Sequence, residues 1–252
     1  MVKTALITGA GSGIGRATAQ LLASEGFRLL LLGRRMEKLQ ETQKTLQDRE
    51  SHHCFSCDIR NAGDISQALL ESRVRSLYAV IANAGVAFEN IYGSEDRWEE
   101  IVDINLTGSY LTIQECLPYL KKDESQYRKI VFMSSLMARL GEPRYSAYCA
   151  SKAGMLGLMR SLAIELSKDN ILVNAICPGW VNTDMAHGGL KESAKALNVS
   201  IDEIYKVAMK DVPLDKMSEP KDIARLVSFL IHEEQTSITG QTMDINDGAL
   251  MP

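Results

Sequence analysis

Apolar runs of strand length alternate with amphipathic stretches of helical length along the whole of this 252-residue sequence. Consecutive parallel strands need a long crossover connection, and a helix is the usual one. The alternation therefore predicts a parallel sheet covered by helices on both faces, in a single domain of residues 1–252. The expected fold class is α/β, with a doubly wound sheet of about seven strands.

The predicted elements follow from the period of the apolar residues. The strands are expected at Lys3–Thr8, Arg28–Leu32, His53–Cys57, Leu77–Ala82, Lys129–Ser134, Leu172–Cys177 and Thr242–Asn246. The helices are expected at Gly13–Ser24, Met36–Asp48, Asn61–Glu71, Trp98–Leu120, Ala147–Asp169 and Pro220–His232.

One segment, residues 180–218, interrupts this alternation. It is long, mixed in composition and only partly helical by its apolar spacing. Long insertions on a compact domain are typically lids or disordered loops. We expect a substrate lid here, with hinge freedom at His187, Gly188 and Gly189; the alternative is a merely structural excursion.

The charge balance limits the classes of partner. The net charge is −4 at pH 7, so the chain has no basic excess that would attract nucleic acid or an anionic membrane surface. No apolar run approaches the roughly 20 residues that a membrane helix needs. The five cysteines are an odd number, and the N-terminus enters a strand directly, so we expect a cytoplasmic protein with a small-molecule substrate. Cys54 and Cys57 form a CxxC pair on an apparent strand, which favours a structural over a redox role.

Glycines cluster in TGAGSGIG, residues 8–15, directly after the first predicted strand and at the start of the first helix. Glycine lets the chain turn tightly and brings bare backbone against a pyrophosphate, whose charge then faces a helix N-terminus. The motif lacks the Gly-Lys-Ser/Thr ending of a nucleoside-triphosphate loop. It predicts a Rossmann-type dinucleotide site with contacts from Gly9, Ser12, Gly13, Ile14 and Gly15.

The second predicted strand ends in Leu32, Gly33, Arg34 and Arg35. A carboxylate at this position would bind the adenosine ribose of NAD, but two guanidinium groups occupy it. Both can make charge-assisted hydrogen bonds to a 2′-phosphate. NADP is therefore the predicted cofactor, and NAD is the alternative if the arginines only begin a solvated helix.

Tyr148 and Lys152 lie four residues apart in YCASK, on one face of a predicted long helix. A tyrosine hydroxyl is a poor acid or base near neutral pH unless positive charge stabilises the phenolate, and Lys152 can supply that charge. Ser135 ends the fifth predicted strand, at the sheet edge where ligands bind, whereas Ser134 is expected to point away and be structural. Asn105 lies mid-helix in DINLTG, where an amide is poorly placed for stability alone.

Seven motifs follow one another along the chain: TGAGSGIG, CDI, NAG, the asparagine of DINLTG, the serine pair, YCASK and CPGWVNT. In this set and order the chain resembles the classical short-chain dehydrogenase/reductases over nearly its whole length, and among them the 3-oxoacyl thioester reductases. Ser12 departs from the pattern, because many family members that prefer the 2′-phosphate carry a basic residue there.

The resemblance implies a catalytic tetrad and hydride transfer without a metal. Tyr148 would be the general acid for reduction, and Lys152 would lower its pKa and hold the nicotinamide ribose. Ser135 would position the substrate oxygen, and Asn105 would hold a water that relays protons. Further cofactor contacts are implied for Asp58, Ile59, Asn83, Ala84, Gly85, Pro178, Gly179, Val181 and Thr183. A homotetramer built on the Trp98 and Ala147 helices is implied as well.

The predicted function is NADPH-dependent reduction of a 3-oxoacyl or related ketone substrate. Two alternatives stay open at this point. One is an NAD-linked dehydrogenase of a small hydroxy acid or alcohol. The other, from a different class, is a dinucleotide-binding sensor without catalysis, which the tetrad disfavours because a binding module needs no proton relay.

Overall fold

The structure, a computed structural model, describes residues 2–120 and 126–251. Within them one sheet contains the strands β1 (Thr4–Thr8), β2 (Arg28–Gly33), β3 (His53–Ser56), β4 (Ala79–Ala82), β5 (Arg128–Met133), β6 (Ile171–Pro178) and β7 (Thr242–Ile245). The strand order is β3-β2-β1-β4-β5-β6-β7, and every neighbouring pair is parallel. The predicted parallel sheet of seven strands is confirmed.

The described helices are α1 (Gly13–Ser24), α2 (Met36–Gln43), α3 (Ala62–Glu71), α4 (Trp98–Val102), α5 (Gly108–Leu120), α6 (Ser146–Glu165), α7 (Asp184–Leu197), α8 (Ile201–Met209) and α9 (Pro220–Ile231). One buried cluster packs α1, α2 and α9 on one face of the sheet, and a second packs α3, α5 and α6 on the other. The predicted doubly wound arrangement is therefore confirmed as well.

Successive side chains of β2 point to opposite faces of the sheet, which shows why helices cover both faces. Leu30 and Leu32 belong to the cluster under α3, α5 and α6, whereas Leu29 and Leu31 belong to the cluster under α1, α2 and α9. All four leucines are buried. Full burial of such a side chain contributes about 1.5–3 kcal/mol, so the continuous apolar strand is stable only between two helical layers.

The strand order places the site. The chain runs from β1 outward to β2 and β3 and then returns to form β4 on the other side of β1. A reversal of this kind opens a crevice at the carboxyl ends of the two central strands. The glycine-rich turn after β1 and Asn83–Gly85 after β4 both border this crevice.

Two predicted helices differ in detail from the observed ones. Helix α2 ends at Gln43 rather than Asp48, because the N–H groups of Thr45 and Leu46 bond three residues back and tighten the chain into a turn. The predicted helix Trp98–Leu120 is present, but a π-helical turn at Asp103–Thr107 separates α4 from α5.

The expected lid segment is more regular than its composition indicates. Helices α7 and α8 occupy most of it, and their apolar side chains form a small buried cluster that includes Leu190, Ala194 and Ile204. The predicted hinge at His187, Gly188 and Gly189 is wrong, because these residues lie inside α7 with helical backbone. No helix within residues 2–120 and 126–251 is both long and apolar enough to cross a membrane.

Candidate active site

The glycine-rich turn forms a cradle of bare backbone. Gly9 and Gly13 have left-handed φ values of +66° and +50°. A Cβ added at Gly15 would lie 2.3 Å from the carbonyl oxygen of Gly9, and one at Gly9 would lie 2.9 Å from Cα of Ala84. Ser12 precedes α1 without a capping hydrogen bond from its side chain, so the first-turn N–H groups are available to an anion. The cradle fits the pyrophosphate of a dinucleotide.

Thr8, which sequence reasoning did not assign, joins the two central strand ends. Its Oγ1 accepts hydrogen bonds from the backbone N–H groups of Asn83 and Ala84, each at 3.0 Å. The Asn83 side chain donates in return to the carbonyl oxygen of Thr8 at 2.9 Å. The available signal in the sequence was the threonine that both ends the first strand and begins TGAGSGIG.

Charged side chains after β3 and at the start of α2 border the expected adenosine side. Asp58, just after β3, receives hydrogen bonds from Nε of Arg60 at 3.0 and 3.1 Å, and these lower the pKa of its carboxyl, with a smaller contribution from the positive charge of Arg34. Arg34 and Arg35 are exposed at the start of α2, and no ion pair joins either one to another described residue. The carbonyl oxygen of Arg34 also accepts a hydrogen bond from the Ser56 hydroxyl at 3.2 Å, so the start of α2 lies beside the end of β3.

Ile59 is buried against the start of α5. A Cβ added at Gly108 would lie 2.7 Å from Cδ1 of Ile59. The side chain is therefore covered mainly by the protein itself, and the adenine contact expected for Ile59 stays a prediction.

Tyr148, Lys152 and Asn105 come together at the carboxyl edge of the sheet. Nζ of Lys152 lies 5.6 Å from the centroid of the Tyr148 ring. A Cβ added at Gly85 would lie 3.0 Å from Oδ1 of Asn105 and 3.3 Å from Nζ of Lys152. Lys152 also donates to the carbonyl oxygen of Met133 at 2.8 Å, so the end of β5 fixes its ammonium group.

Burial dominates the ionisation of this pair. It raises the pKa of Tyr148, against which a hydrogen bond with the Ser135 side chain acts to lower it. Burial likewise lowers the pKa of Lys152 to about 8. Desolvation is therefore the largest influence on the ionisation of both side chains. Tyr148 lies in the first turn of α6, whose positive dipole end favours a phenolate.

The two serines after β5 have different partners. Ser135 accepts a hydrogen bond from the N–H of Met137 at 3.2 Å and its side chain also bonds with Tyr148, so the two hydroxyl groups lie together. Ser134 donates to the carbonyl oxygen of Lys152 at 3.0 Å. This bond joins β5 to α6 and supports the structural role predicted for Ser134.

Asn105 is fully buried within the π-helical turn. Its Oδ1 accepts from the N–H of Val86 at 2.8 Å, and its Nδ2 donates to the carbonyl oxygen of Val86 at 2.9 Å and to Oγ of Ser151 at 3.1 Å. Both amide hydrogens are therefore used. π-Helical turns occur frequently at functional sites, and the water that the resemblance implies at Asn105 stays a prediction.

The segment after β6 packs against the glycine cradle. A Cβ added at Gly13 would lie 3.1 Å from Cγ2 of Thr183, and one at Gly179 would lie 2.9 Å from Cα of Asn246. Val181 forms a bridge with Ser218, and Thr183 caps α7 by accepting from the N–H of Ala186. Pro178–Thr183 therefore lies where it can cover a dinucleotide held by the cradle.

An apolar wall surrounds the hydroxyl groups of the site. Tyr148 clusters with Ile101 and Ala147, and Phe88, Met137 and Tyr145 pack against them. Such a wall excludes water and suits an uncharged carbon chain beside the reacting carbon.

The CxxC pair is not part of this site. Burial raises the pKa of Cys54 to about 11 and that of Cys57 to about 12, so both remain protonated thiols near neutral pH. This supports the structural role predicted for them.

Comparison with known proteins gives concordant results. Residues 9–249 match a family model described as enoyl-(acyl carrier protein) reductase. The 3-oxoacyl-(acyl-carrier-protein) reductase FabG of Rickettsia prowazekii (strain Madrid E) is 32% identical over 251 residues, which cover 99% of this chain and 97% of that protein. The protein of the same name from Staphylococcus aureus (strain Mu50 / ATCC 700699) is 32% identical over 257 residues, which cover 100% and 99%.

Two solved structures share the fold. A variant of actinorhodin polyketide ketoreductase, crystallised with NADPH, superposes with a TM-score of 0.91 at 29% identity and covers 98% of this chain and 97% of its own. A short chain dehydrogenase family protein from Francisella tularensis subsp. tularensis SCHU S4 superposes with a TM-score of 0.87 at 26% identity and covers 99% of each chain.

Proposed function

Because the chain belongs to the short-chain dehydrogenase/reductase family, we propose that it is an NADPH-dependent reductase of a 3-oxoacyl thioester or a related ketone. The observation that carries this proposal is the meeting of Tyr148, Lys152 and Ser135 at one edge of the sheet, beside a glycine cradle that fits a dinucleotide. The names of the similar proteins, two reductases and a ketoreductase with NADPH, support the same reaction class.

The residues of the site divide the work on the substrate carbonyl. The bound nicotinamide supplies the hydride. Ser135 hydrogen-bonds the carbonyl oxygen, and Tyr148 donates its proton to that oxygen. Burial alone disfavours the phenolate that this step leaves. Lys152 stabilises the phenolate that remains, and Asn105 holds the loop after β4 and the Ser151 hydroxyl in place.

NADP is the proposed cofactor. Gly9, Ser12, Gly13, Ile14 and Gly15 would hold the pyrophosphate, and Arg34 with Arg35 would bind the 2′-phosphate. The remaining contacts are proposed for Asp58 and Ile59 at the adenine, for Asn83–Gly85 along the crevice, and for Pro178, Gly179, Val181 and Thr183 over the nicotinamide.

Residues 180–218 are proposed as the substrate lid. Helices α7 and α8 form a unit with its own buried cluster, joined to the site through Trp180, which packs against that cluster. A compact pair of helices on two connecting segments can move as one body.

We also propose a homotetramer in the cytoplasm. Helices α4, α5 and α6 expose Trp98, Tyr110 and Ile164, which a second copy of the chain could cover. All five cysteines are free, as expected for a reducing compartment.

The reaction is tested with NADPH and acetoacetyl-CoA as a small 3-oxoacyl thioester probe. Tyr148→Phe removes the proton donor and should lower kcat by about 10²–10⁴-fold with unchanged NADPH affinity. Tyr127→Phe, at the opposite edge of the sheet, is the matched control and should match the parent. Full turnover by Tyr148→Phe would overturn the assigned mechanism, and NADPH binding without turnover of any ketone would favour a sensor.

The cofactor is tested by fluorescence titration of NADPH and NADH. Arg34→Ala should weaken NADPH binding by about 10-fold or more and leave NADH binding unchanged, because only NADPH carries the 2′-phosphate. Arg49→Ala removes one exposed positive charge elsewhere and should change neither constant. Equal affinity of the parent for both cofactors would favour the NAD-linked alternative.

A further inference from the structure

Asn90 lies in the loop between β4 and α4, and it is 4% exposed although its side chain is polar. Its Oδ1 accepts a hydrogen bond from the N–H of Ala147 at 3.0 Å, and its Nδ2 lies 3.0 Å from Oγ of Ser146. Ser146 and Ala147 are the first two residues of α6. The residue at the N-cap position, Tyr145, makes no capping hydrogen bond with its side chain. Helix α6 is therefore capped by a residue 57 positions before Ala147 in sequence.

The same loop holds the chain just before α6. The N–H of Asn90 donates to the carbonyl oxygen of Arg144 at 2.8 Å, and Glu89 forms an ion pair with Arg144 at 2.7 Å. Arg144 has a φ of +67°, in the left-handed region that side chains rarely adopt. Such a conformation persists only where surrounding contacts impose it, and these two contacts supply that restraint.

The other end of the loop is tied to the site. Asn105 bonds both the N–H and the carbonyl oxygen of Val86, four residues before Asn90. Residues 86–90 thus form a short strap from the π-helical turn to the N-terminus of the helix that carries Tyr148 and Lys152. Movement of the strap would move the first turn of α6, where Tyr148 lies.

We propose that Asn90 is a positioning residue for Tyr148, which it holds against Ser135 by capping α6 from the strap, residues 86–90. Its neutral amide has a second consequence. A capping carboxylate would place a negative charge beside the first turn and oppose the phenolate, whereas an amide leaves the positive helix end unopposed. The positioning role in catalysis rests on the proposed reductase function, but the capping of α6 does not.

Two variants separate position from charge. Asn90→Ala removes the cap, and Asn90→Asp keeps the acceptor but adds a negative charge. Asn174→Ala is the matched control, because Asn174 is also a buried asparagine that bonds a remote loop, through Ile238 and Gln241. Hydrogen exchange measured by mass spectrometry on peptides covering residues 144–152 reports the cap without any need for activity.

Exchange in these peptides should quicken by about 10-fold or more in Asn90→Ala and stay at the parent rate in Asn174→Ala. Unchanged exchange in Asn90→Ala would overturn the proposed cap even if the enzyme proved to have another activity. Conversely, absence of ketone reduction by the parent protein would refute the proposed function while the exchange result still decided the cap.

Kinetics with NADPH and acetoacetyl-CoA test the positioning. Asn90→Ala should lower kcat by about 10–100-fold with an unchanged KM for NADPH, since a small displacement of the proton donor is enough for such a loss. Asn90→Asp should keep most of the kcat for ketone reduction. For the reverse reaction, alcohol oxidation, the rise of kcat with pH should shift to higher pH by about half a unit or more. Asn90→Ala and Asn174→Ala could instead lose activity equally, each in proportion to its loss of thermal stability. That result would show that Asn90 is only a structural residue.

Discussion

At the residue scale, burial brings the acid and the base of the site toward their neutral forms. Burial raises the pKa of Tyr148 and so opposes formation of the phenolate, whereas the pKa of about 8 for Lys152 places loss of its charge just above neutral pH. The two shifts have one cause, the apolar surroundings that also exclude water from the reacting atoms.

A pH dependence follows from Lys152. Because the charged ammonium stabilises the phenolate that reduction leaves behind, kcat/KM for reduction should be level below pH 8 and fall as the pH rises through about 8. Lys152→Arg retains the charge at every pH, so its lower activity should show no fall in that range. The measurement is the pH profile of acetoacetyl-CoA reduction; the same fall in Lys152→Arg would contradict the assignment to Lys152.

Burial also lowers the pKa of a second lysine, Lys129, which lies away from the site. It is fully buried, its Nζ donates to the carbonyl oxygen of Gln235, and burial lowers its pKa from 10.5 to about 8. A lysine whose pKa is lower in the folded state makes the free energy of unfolding increase as the pH rises from about 8 to about 10.5.

Lys129→Met removes this buried charge and should raise the free energy of unfolding by about 1–3 kcal/mol at pH 7. The difference from the parent should shrink as the pH rises above about 8 and level off above 10.5, where the parent lysine becomes neutral in both states. Urea denaturation of both proteins across this range gives the difference directly. A difference that stayed constant with pH would show that packing, not charge, causes it.

At the scale of elements, helix α7 fixes the backbone at the glycines of the proposed lid. Gly188 and Gly189 have helical backbone, and a Cβ added at either would meet nothing within 4 Å. Glycine inside a helix is less stable than alanine by about 0.5–1 kcal/mol. Movement of the lid would therefore take place in the segments that flank the α7–α8 pair.

Gly188→Ala should raise the free energy of unfolding by about 0.5–1 kcal/mol and leave kcat unchanged. Gly13→Ala is the contrasting variant, because Gly13 has a φ of +50° and its added Cβ would lie 3.1 Å from Thr183. That variant should bind NADPH more weakly. A loss of kcat in Gly188→Ala would restore the hinge that the sequence predicts.

At the scale of the whole molecule, two strongly exposed apolar side chains lie on different helices and test the proposed assembly. Ile164 on α6 is 79% exposed and Val207 on α8 is 69% exposed. Ile164→Asp should dissociate the proposed homotetramer into smaller species, because a buried carboxylate at an interface is strongly unfavourable. Val207→Asp should leave the tetramer intact. Light scattering after size exclusion measures the mass, and a monomeric parent would contradict the assembly.

Local sequence was sufficient for the features that depend on local chemistry. The period of the apolar residues predicted all seven strands. The glycines of TGAGSGIG predicted a bare turn, because a side chain would strain the left-handed backbone at Gly9 and would clash with the Gly9 carbonyl oxygen at Gly15. Helical spacing likewise placed Tyr148 and Lys152 on one face.

Contacts between distant parts of the chain decided the rest. The bond of Lys152 to Met133, the capping of α6 by Asn90, and the π-helical turn that lets Asn105 hold Val86 all join residues on different elements. The pKa of Tyr148 also lay beyond local reasoning, since it depends on how many apolar groups from several elements surround the hydroxyl. Spacing along a chain shows which side chains share a face, but desolvation and cross-element hydrogen bonds exist only once the faces have packed.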